Sequence, residues 1–423
     1  MDSGRQPAQG SGYQCGANSG VPGGCQSGVL IEALSQPDVQ AFLKAHATDS
    51  PAKLALQKNL PGGVSASLLA SQLKARHKAK DKLPSWLGRD GIIFPHGVAL
   101  EQCSSETTAR FKAARWAGRS FADLTGGTGV DTFFFSQSFE KGVYVEADVE
   151  RCALASHNFG VLGAAHLQVA QSTAEAFLAN STDHYNLIYI DPDRRTGHKR
   201  AIGFSDSTPD VVQLMPALLQ QGTTVLIKAS PMIDIQQGLR DLGSVSKVLV
   251  LAVNNECKEV LFVCDNSDRP VEIEAWQVQG GKETVLRFSL EEEASAGVSF
   301  GEPEAYIYDP NVAITKSGAY KTVAARYGLK KLHPNTHLYT SATLVPDFPG
   351  RMFRVLEVLP FSSKEMKRLK LPFARAHVMS KNFPLEAAEL QKRLKLKEGE
   401  EGFVMGVTVG SGERVLVVTE RVN

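Results

Sequence analysis

The sequence contains few cysteines and no long apolar run, and each shortage argues against a class of protein. Six cysteines are scattered over 423 residues and none forms a CxxC pair, which argues against a zinc site and favours a reducing compartment. No run of about 18 apolar residues is present, so no membrane-spanning helix is predicted. The formal net charge of +1 neither favours nor excludes a nucleic-acid partner.

The first 27 residues also lack targeting features. They have neither the apolar core of a secretory signal nor the arginine-rich pattern of a mitochondrial one. Because they are rich in Gly, Ser and Gln, residues 1–27 are predicted to form a disordered tail. Together with the sparse cysteines, this predicts a cytoplasmic protein.

Helical patterns dominate residues 28–119. The segments "DVQAFLKAHA" and "VSASLLASQLKARHKAKDKL" place apolar residues three and four positions apart. The segment "SSETTARFKAARWAG" predicts another helix, capped by Ser104 or Ser105 and ended by Gly118. We therefore expect a helical N-terminal domain over residues 28–119.

Residues 120–268 alternate between strand and helix patterns, which indicates an α/β domain with a mostly parallel sheet. The last two strand segments, "KVLVLAV" and "EVLFVCD", are joined only by "NNECK". A parallel crossover needs about a dozen residues, so this pair is predicted to be an antiparallel hairpin. Five parallel strands that close with such a hairpin are the layout of class I methyltransferases rather than of nicotinamide-binding domains.

A glycine cluster, "DLTGGTGVD", follows the first of these strands. Thr125, Gly126, Gly127 and Gly129 are predicted to form a loop that lets backbone approach a ligand closely. The third glycine of the dinucleotide pattern GxGxxG is missing, and Asp131 stands at the start of the following helix. This acid would repel a pyrophosphate but suits the ammonium and sulfonium of S-adenosylmethionine.

Three further residues complete the predicted cofactor site. Asp123, at the end of the first strand, could receive the methionine amino group. Glu146 ends the second strand and is predicted to hydrogen-bond the ribose hydroxyls, a feature shared with NAD sites. Ser172 follows the third strand and could either contact adenine or cap the helix that begins with "TAEAFL".

The fourth strand leads into "IDPDRR", where open α/β folds place their chemistry. Asp191, Pro192, Asp193 and Arg194 are the predicted catalytic segment, because methyl transfer mainly requires an acceptor held in line. Arg195 could contact phosphate. The alternative is a solvated turn in which an arginine pairs with Asp193.

Residues from the last strands are predicted to contact the substrate. Lys228 ends the fifth strand and could face the same cleft or cap a helix. Asn254 and Asn255 lie in the hairpin loop that borders the target site in this fold. Cys257 is a weak candidate nucleophile, since no accompanying motif follows the fourth strand.

Several motifs together resemble the bacterial S-adenosylmethionine-dependent methyltransferases with a THUMP-like C-terminal domain, known mainly from Bacteroidetes. They are "KLPSW", "EQCSSETTARFKA", "DLTGGTGVD", "IDPDRR", "IKASPMIDI", "NNECKE" and "GLKKLHPNTHLYTS". The resemblance implies a methyltransferase core over residues 120–268, a ferredoxin-like segment over 269–343 and a THUMP-like domain over 344–423. It also implies an RNA substrate, since THUMP domains bind RNA. Asp193 departs from the alanine of the family's DPARR motif.

The distribution of charge favours RNA independently. Residues 305–397 contain 17 lysines and arginines against 6 aspartates and glutamates, a net charge of +11. Such asymmetry is typical of a polyanion partner, with Lys330 and Lys331 as candidate contacts, although solvated helix faces would look the same. No metal is predicted. The alternatives are a methyltransferase acting on a protein or small molecule, and a non-catalytic RNA-binding protein with a vestigial cofactor pocket.

Overall fold

The computed structural model of the chain describes residues 23–57, 60–95, 97–194, 203–204, 207–362, 371–410 and 412–422. The chain clusters into two compact units. The smaller unit comprises the chain up to Gln102 together with Asp148–Gly163, and the larger comprises Cys103–Ala147 and Ala164–Asn423. None of the described helices is long and apolar enough to cross a membrane.

The described helices and strands are numbered separately in chain order. The helices are α1 (Gly23–Ser35), α2 (Pro37–Ala45), α3 (Pro51–Leu54), α4 (Ala66–Lys82), α5 (Pro84–Leu87), α6 (Val98–Gln102), α7 (Glu106–Ala113), α8 (Val130–Phe135), α9 (Val149–Val161), α10 (Ala174–Asn180), α11 (Val211–Gln221), α12 (Ile235–Leu242), α13 (Leu290–Ser295), α14 (Val312–Ser317), α15 (Tyr320–Tyr327) and α16 (Ala387–Leu394). The strands are β1 (Gly118–Asp123), β2 (Phe139–Glu146), β3 (Gln168–Gln171), β4 (Tyr185–Ile190), β5 (Asp193–Arg194), β6 (Ser207–Thr208), β7 (Gly222–Ala229), β8 (Val245–Val253), β9 (Glu256–Cys264), β10 (Glu272–Gln279), β11 (Lys282–Ser289), β12 (Tyr306–Pro310), β13 (Lys330–His333), β14 (Thr336–Ser341), β15 (Gly350–Pro360), β16 (His377–Lys381), β17 (Phe403–Val409) and β18 (Glu413–Arg421).

A nine-stranded sheet in the order β11-β10-β8-β9-β7-β4-β1-β2-β3 forms the core of the larger unit. Five of its strands, β1, β2, β3, β4 and β7, pair in parallel with one another. β8 and β9 form an antiparallel hairpin, and β9 also pairs antiparallel with β7. The predicted α/β core and its terminal hairpin are therefore confirmed, and the carboxyl ends of the parallel strands lie along one edge.

The core sheet extends beyond the predicted boundary at residue 268. β10 pairs in parallel with β8, and β11 pairs antiparallel with β10, although the sequence interpretation assigned both strands to the ferredoxin-like segment. A lone hairpin is only marginally stable in water, and docking on the edge of β8 buries Ile273 and Ala275. The acidic character of this segment is accommodated because the buried Glu274 accepts hydrogen bonds from Lys247 at 2.9 Å and Trp276 at 2.7 Å.

The smaller unit is helical, as predicted, but its limits differ from residues 28–119. Its core contains apolar residues from successive helices, including Leu34, Val39, Leu43, Leu69 and Leu73. α1 already begins at Gly23, inside the predicted tail, and residues 103–119 cluster with the larger unit.

Helix α9, which the sequence interpretation placed in the methyltransferase core, clusters with the helical unit. The carboxamide oxygen of its Asn158 accepts a hydrogen bond from the Ile93 backbone amide at 3.1 Å, and the carboxamide nitrogen donates to the Ile93 carbonyl at 2.8 Å. Because this contact links residues 65 positions apart, the sequence pattern did not reveal it.

The predicted start of helix α7 agrees with the structure, but its predicted end does not. The Ser105 hydroxyl accepts a hydrogen bond from the Thr108 amide at the helix start, so one of the two predicted caps is confirmed. The helix ends at Ala113 rather than at Gly118, which instead begins β1. Ser104, the other predicted cap, contacts Asp131 of the candidate site.

The C-terminal part of the larger unit is built on a second sheet, in the order β13-β14-β12-β15-β18-β17-β16. β12 pairs antiparallel with β15, so the predicted boundary at residue 343 separates strands that belong to one sheet. The order of β15, β16, α16, β17 and β18 agrees with the predicted pattern. The first predicted helix of that pattern, "KEMKRLK" at residues 364–370, lies outside the described residues.

The two sheets of the larger unit share apolar packing. A single cluster of buried residues includes Ile188 and Val250 of the first sheet together with Tyr308, Ala313 and Val323 of the C-terminal part. The Lys316 ammonium also donates a hydrogen bond to the Ile233 carbonyl at 2.6 Å. The C-terminal part is therefore joined to the core by a continuous apolar interior as well as by the chain.

Candidate active site

The glycine loop lies between β1 and α8, and its shape depends on the absence of side chains. A Cβ atom on Gly126 would lie 2.2 Å from the ring of Tyr144. The Tyr144 hydroxyl donates a hydrogen bond to the Gly127 carbonyl at 2.7 Å, which holds the loop over the ring. Gly127 and Gly129 have φ values of 54° and 77°, which favour glycine. The loop thus exposes backbone where a side chain would otherwise stand.

Glu146 and Ser172 lie beside this loop. The Glu146 carboxylate accepts a hydrogen bond from the Gly127 amide at 3.0 Å, and the side chain is half-buried. The Ser172 amide donates to the Glu146 carbonyl at 3.0 Å, which brings the ends of β2 and β3 together. The capping alternative for Ser172 is wrong, because the Thr173 hydroxyl caps α10.

Asp123 is buried at the end of β1, where it organises the loop. Its carboxylate accepts hydrogen bonds from the Thr125 amide at 3.1 Å and the Thr132 hydroxyl at 2.6 Å. Burial, helped by the neighbouring acids Asp131 and Asp191, outweighs these two hydrogen bonds and raises the pKa of Asp123 to about 7. Its charge therefore depends on small changes in its surroundings near neutral pH.

Asp131, predicted to face the cofactor, belongs to a buried polar network. Its Oδ2 accepts hydrogen bonds from the Ser104 hydroxyl at 2.7 Å and the Tyr189 hydroxyl at 2.9 Å. Its Oδ1 lies 3.2 Å from the Lys112 ammonium, yet this atom accepts no hydrogen bond from the described residues. Burial by itself would raise the pKa of Asp131, but Lys112 and Lys228 outweigh it and hold the pKa below its ordinary value.

The cation at the centre of this network was missed at the sequence level. Lys112 is fully buried and donates hydrogen bonds to both carboxylate oxygens of Glu259, at 2.8 and 2.9 Å. Burial raises the pKa of Glu259, and Lys112 and Lys228 partly offset the effect. The signal that could have found the pair is a charged residue on an otherwise apolar face, since Lys112 lies three residues after Ala109 in α7 and Glu259 lies two residues before Leu261 in β9, both of which are buried.

The segment after β4 connects to the glycine loop and to β7. The Asp191 amide donates a hydrogen bond to the Thr125 hydroxyl at 2.7 Å, and the Asp191 carboxylate forms an ion pair with Lys228. Burial would lower the pKa of Lys228, but Asp191, Asp131 and Glu259 outweigh it and raise the pKa, which keeps the ammonium charged. Lys228 thus faces the predicted catalytic segment rather than capping a helix, because it lies in β7 and its ammonium pairs with Asp191.

The remaining residues of that segment are only partly described. Pro192 is half-buried directly after Asp191. Asp193 and Arg194 form the short strand β5, which pairs antiparallel with β6. Arg195 lies outside the described residues.

The structure assigns Asn254 and Asn255 to a structural turn. Both residues have positive φ, 50° and 60°, in the two-residue connection of the β8–β9 hairpin. The Asn254 amide donates to the Val278 carbonyl, and the Asn255 carboxamide oxygen accepts from the Val312 amide, both at 2.9 Å. The predicted substrate role of Asn255 is therefore corrected, since its oxygen caps the first turn of α14.

Lys330 and Lys331 also differ from their predicted role. The exposed Lys330 pairs with Glu304 at 2.6 Å. Lys331 is buried, and its ammonium donates to the Pro334 carbonyl. Burial also lowers the pKa of Lys331, and because the side chain is buried it is not placed on the surface to contact a polyanion.

His337 and the candidate nucleophile Cys257 both lie in surroundings that suit a structural role. His337 stacks on Tyr320 with ring centroids 3.7 Å apart, and burial lowers its pKa to about 4. Burial raises the pKa of Cys257 to about 11, so its thiol stays protonated at neutral pH, which disfavours a nucleophilic role. The described part of the chain contains no cluster of three or more side chains suited to hold a metal ion.

The arrangement of the loop fits a nucleoside bearing a cation. A cradle of glycine backbone lies next to a carboxylate at the end of β2, and the buried Asp131 Oδ1 is an acceptor with no hydrogen-bond donor among the described residues. Asp191 and Lys228 lie at the neighbouring strand ends. These features suit an electrophilic cofactor on one side and an acceptor group on the other.

Comparisons with known proteins agree with this geometry. Family models match residues 306–349 as a ferredoxin-like domain and residues 350–421 as a THUMP domain-like region. The chain is similar to a candidate methyltransferase from Porphyromonas gingivalis W83, whose crystal structure is 32% identical with a TM-score of 0.84 and is matched over 94% of this chain and 99% of that one.

A curated relative extends the likeness to another organism. The chain is 25% identical over 324 residues to an uncharacterized S-adenosylmethionine-dependent methyltransferase of Mycobacterium tuberculosis, found in two strains. This match covers 74% of the chain and 84% of the relative.

Proposed function

The chain belongs to the S-adenosylmethionine-dependent methyltransferases with a C-terminal THUMP-like domain, and from this premise we propose that it methylates RNA. The observation that supports RNA is the match of residues 350–421 to a THUMP domain-like model, which overlaps the strongly basic residues 305–397. Residues 305–397 carry a net charge of +11, which suits a polyanionic substrate. THUMP domains bind RNA, and the resemblance extends that expectation to this chain.

The residues around the glycine loop are proposed to bind the cofactor. Gly126 lets the loop pack on the Tyr144 ring, and Gly127, whose Cβ position meets only the Thr125 carbonyl at 3.7 Å, leaves room for the methionine part beside the backbone. Glu146 is oriented by the Gly127 amide and would bind the ribose hydroxyls through its carboxylate. Asp131, which Ser104 and Tyr189 hold in place, would attract the ammonium through its negative charge, and Ser172 at the end of β3 would contact the adenine.

The proposed catalytic segment needs to position the acceptor rather than to activate it. When bound, S-adenosylmethionine supplies an electrophilic methyl group on a sulfonium. Lys228 holds the Asp191 carboxylate at the mouth of the sheet, and Thr125 holds the Asp191 amide. From this position Asp191 would accept a hydrogen bond from an amine or hydroxyl of the RNA, orient its lone pair and receive the proton that it loses.

Transfer of a radioactive methyl group tests the proposal. RNA from cells that lack the protein would be incubated with the enzyme and methyl-tritiated S-adenosylmethionine. We expect label that ribonuclease releases, and a loss of at least about 100-fold with Asp191→Ala, because positioning effects reach this size. Cys257→Ala serves as the matched control at the same sheet edge.

Each other outcome identifies a different alternative. Label that protease releases instead would move the substrate to protein and contradict the RNA proposal. Calorimetric binding of S-adenosylmethionine without transfer to any RNA would also contradict it. Absence of cofactor binding would favour a vestigial pocket.

A further inference from the structure

A cleft of about 440 Å³ lies in the THUMP-like region, away from the glycine loop in sequence and built from other elements. It is formed where the segment leading into β16 meets the end of α16 and the segment that follows it. The Ala376 amide donates to the Lys397 carbonyl at 2.9 Å, and the Lys397 amide donates to the Ala374 carbonyl at 3.2 Å. These backbone hydrogen bonds close the base of the cleft and make it part of the fold.

The floor of the cleft is apolar and contains one aromatic ring. Leu371, Phe373, Leu394 and Leu396 line it. A Cβ atom on Gly402 would lie 2.1 Å from the Phe373 ring, so the glycine allows the ring to lie directly against the backbone. Phe373 is half-buried, and the ring is therefore held in place while it still lines the cleft.

The rim of the cleft is cationic. Arg375, Lys395 and Lys397 line it and are exposed, and none of them forms an ion pair within the part of the chain that the structure describes. The Arg375 Nε donates to the Glu398 carbonyl at 3.1 Å, which restrains its guanidinium. The one acid in the lining, Glu401, lies 3.4 Å from the Arg375 amide through its carboxylate oxygen.

We propose that this cleft binds one unpaired nucleotide of a single-stranded RNA segment, an inference that deepens the proposed function and rests on it. Ligand sites typically enclose about 300–1,000 Å³, so the cleft has the size for a single nucleotide rather than for a duplex. The Phe373 ring offers a stacking surface for a base, and three cations against one acid suit the flanking phosphates. A paired base has no free face to offer, so the site selects a single strand.

Fluorescence anisotropy with a labelled 12-nucleotide single-stranded RNA, and with a duplex of the same length, tests the cleft. Phe373→Leu keeps an apolar contact with Gly402 but removes the flat ring, and we expect binding about fivefold to tenfold weaker with an unchanged salt dependence. The double variant Lys395→Gln/Lys397→Gln removes two phosphate contacts. It should reduce the slope of log affinity against log salt by about 0.7 for each contact.

The matched control is Lys392→Gln/Arg393→Gln at the end of α16, just before the cleft residues and outside the cleft lining. It removes the same charge, so nonspecific attraction would weaken binding equally in both double variants and overturn the proposal. Tighter binding of the duplex, or unchanged binding by Phe373→Leu in a normally folded protein, would also overturn it. Methyl transfer to RNA that persists in every cleft variant would leave the proposed function intact and reject the cleft alone.

Discussion

Two groups of charged residues in the larger unit contrast sharply. Near the strand ends, the buried Lys112 forms ion pairs with the buried Glu259 and with the largely buried Asp131. On the THUMP-like region, Lys395 and Lys397 are exposed and form no ion pair among the described residues. Burial makes a lone charge costly, so the first group is paired, whereas water solvates the second group and leaves it available to a polyanion.

The largest expected effect is removal of the buried cation. Lys112→Met leaves Glu259 without its partner, and loss of one member of a buried pair costs about 3–5 kcal/mol of the free energy of unfolding. Urea unfolding of the larger unit, followed by tryptophan fluorescence, measures this loss. Arg354→Met, which breaks the exposed pair with Glu420, is the control and should cost about 0–1 kcal/mol.

The two variants together test whether burial explains why the buried charges contribute more to the free energy of unfolding than the exposed ones. Equal losses in Lys112→Met and Arg354→Met would contradict the comparison. The double variant Lys112→Met/Glu259→Gln should recover part of the loss, since the remaining carboxylate is then replaced by a neutral amide.

The next effect is a pH dependence caused by Asp123. Its pKa rises from 3.8 to about 7 on folding, so between these values the folded protein holds a proton that the unfolded chain has released. The stabilisation is complete below pH 3.8 and is lost as pH rises through about 7, by at most about 4 kcal/mol. The measurement is urea unfolding from pH 4 to pH 8 for the wild type and for Asp123→Asn.

Asp123→Asn cannot ionise and should lack this component of the pH profile. If the free energy of unfolding changed with pH in the same way in both proteins, burial would not raise the pKa of Asp123 and this prediction would be wrong. Binding of a cationic ligand near Asp123 should lower its pKa, so wild-type affinity for S-adenosylmethionine should increase from pH 6 to pH 8 more than in the variant.

A smaller effect is expected from filling the glycine loop. Gly126→Ala places a methyl group against the Tyr144 ring, and such overpacking costs about 1–3 kcal/mol. Thermal unfolding and calorimetric titration with S-adenosylmethionine should both show weakening. Gly160→Ala in α9, where a Cβ atom meets nothing within 4 Å, is the control and should be neutral or slightly stabilising. Unchanged cofactor affinity in Gly126→Ala would contradict the proposed position of the cofactor.

The smallest effect is expected from Cys257→Ser. The pKa of about 11 leaves roughly one thiol in ten thousand ionised at pH 7, so the residue should not act as a nucleophile. Methyl transfer to RNA should change by less than about twofold. A loss of transfer in a normally folded variant would restore the covalent mechanism.

Local patterns predicted much of the fold and the glycine loop. The alternating strand and helix segments, the short connection "NNECK" and the Ser105 cap all act over a few residues, where periodicity and hydrogen bonding constrain the backbone. The structure brings Asp123, Gly127, Glu146 and Asp191 to one region, as expected for residues that follow parallel strands.

Predictions that depended on distant partners were less successful. Asn255 appeared as a polar loop residue, but its oxygen accepts from Val312, 57 residues away. Lys331 appeared as a basic surface residue, but it is buried. The pair of Lys112 and Glu259 joins residues 147 positions apart, and no periodic pattern in one segment specifies such a partner.

The sequence alone determined the class of the core, the glycine loop and the concentration of positive charge toward the C-terminus, because each depends on residue types at short spacing. The tertiary structure decided which charges are buried, where α9 and β10 belong and which basic residues remain exposed. The physical reason is that burial and pairing depend on contacts between residues far apart in the chain, and these contacts set both protonation and availability for binding.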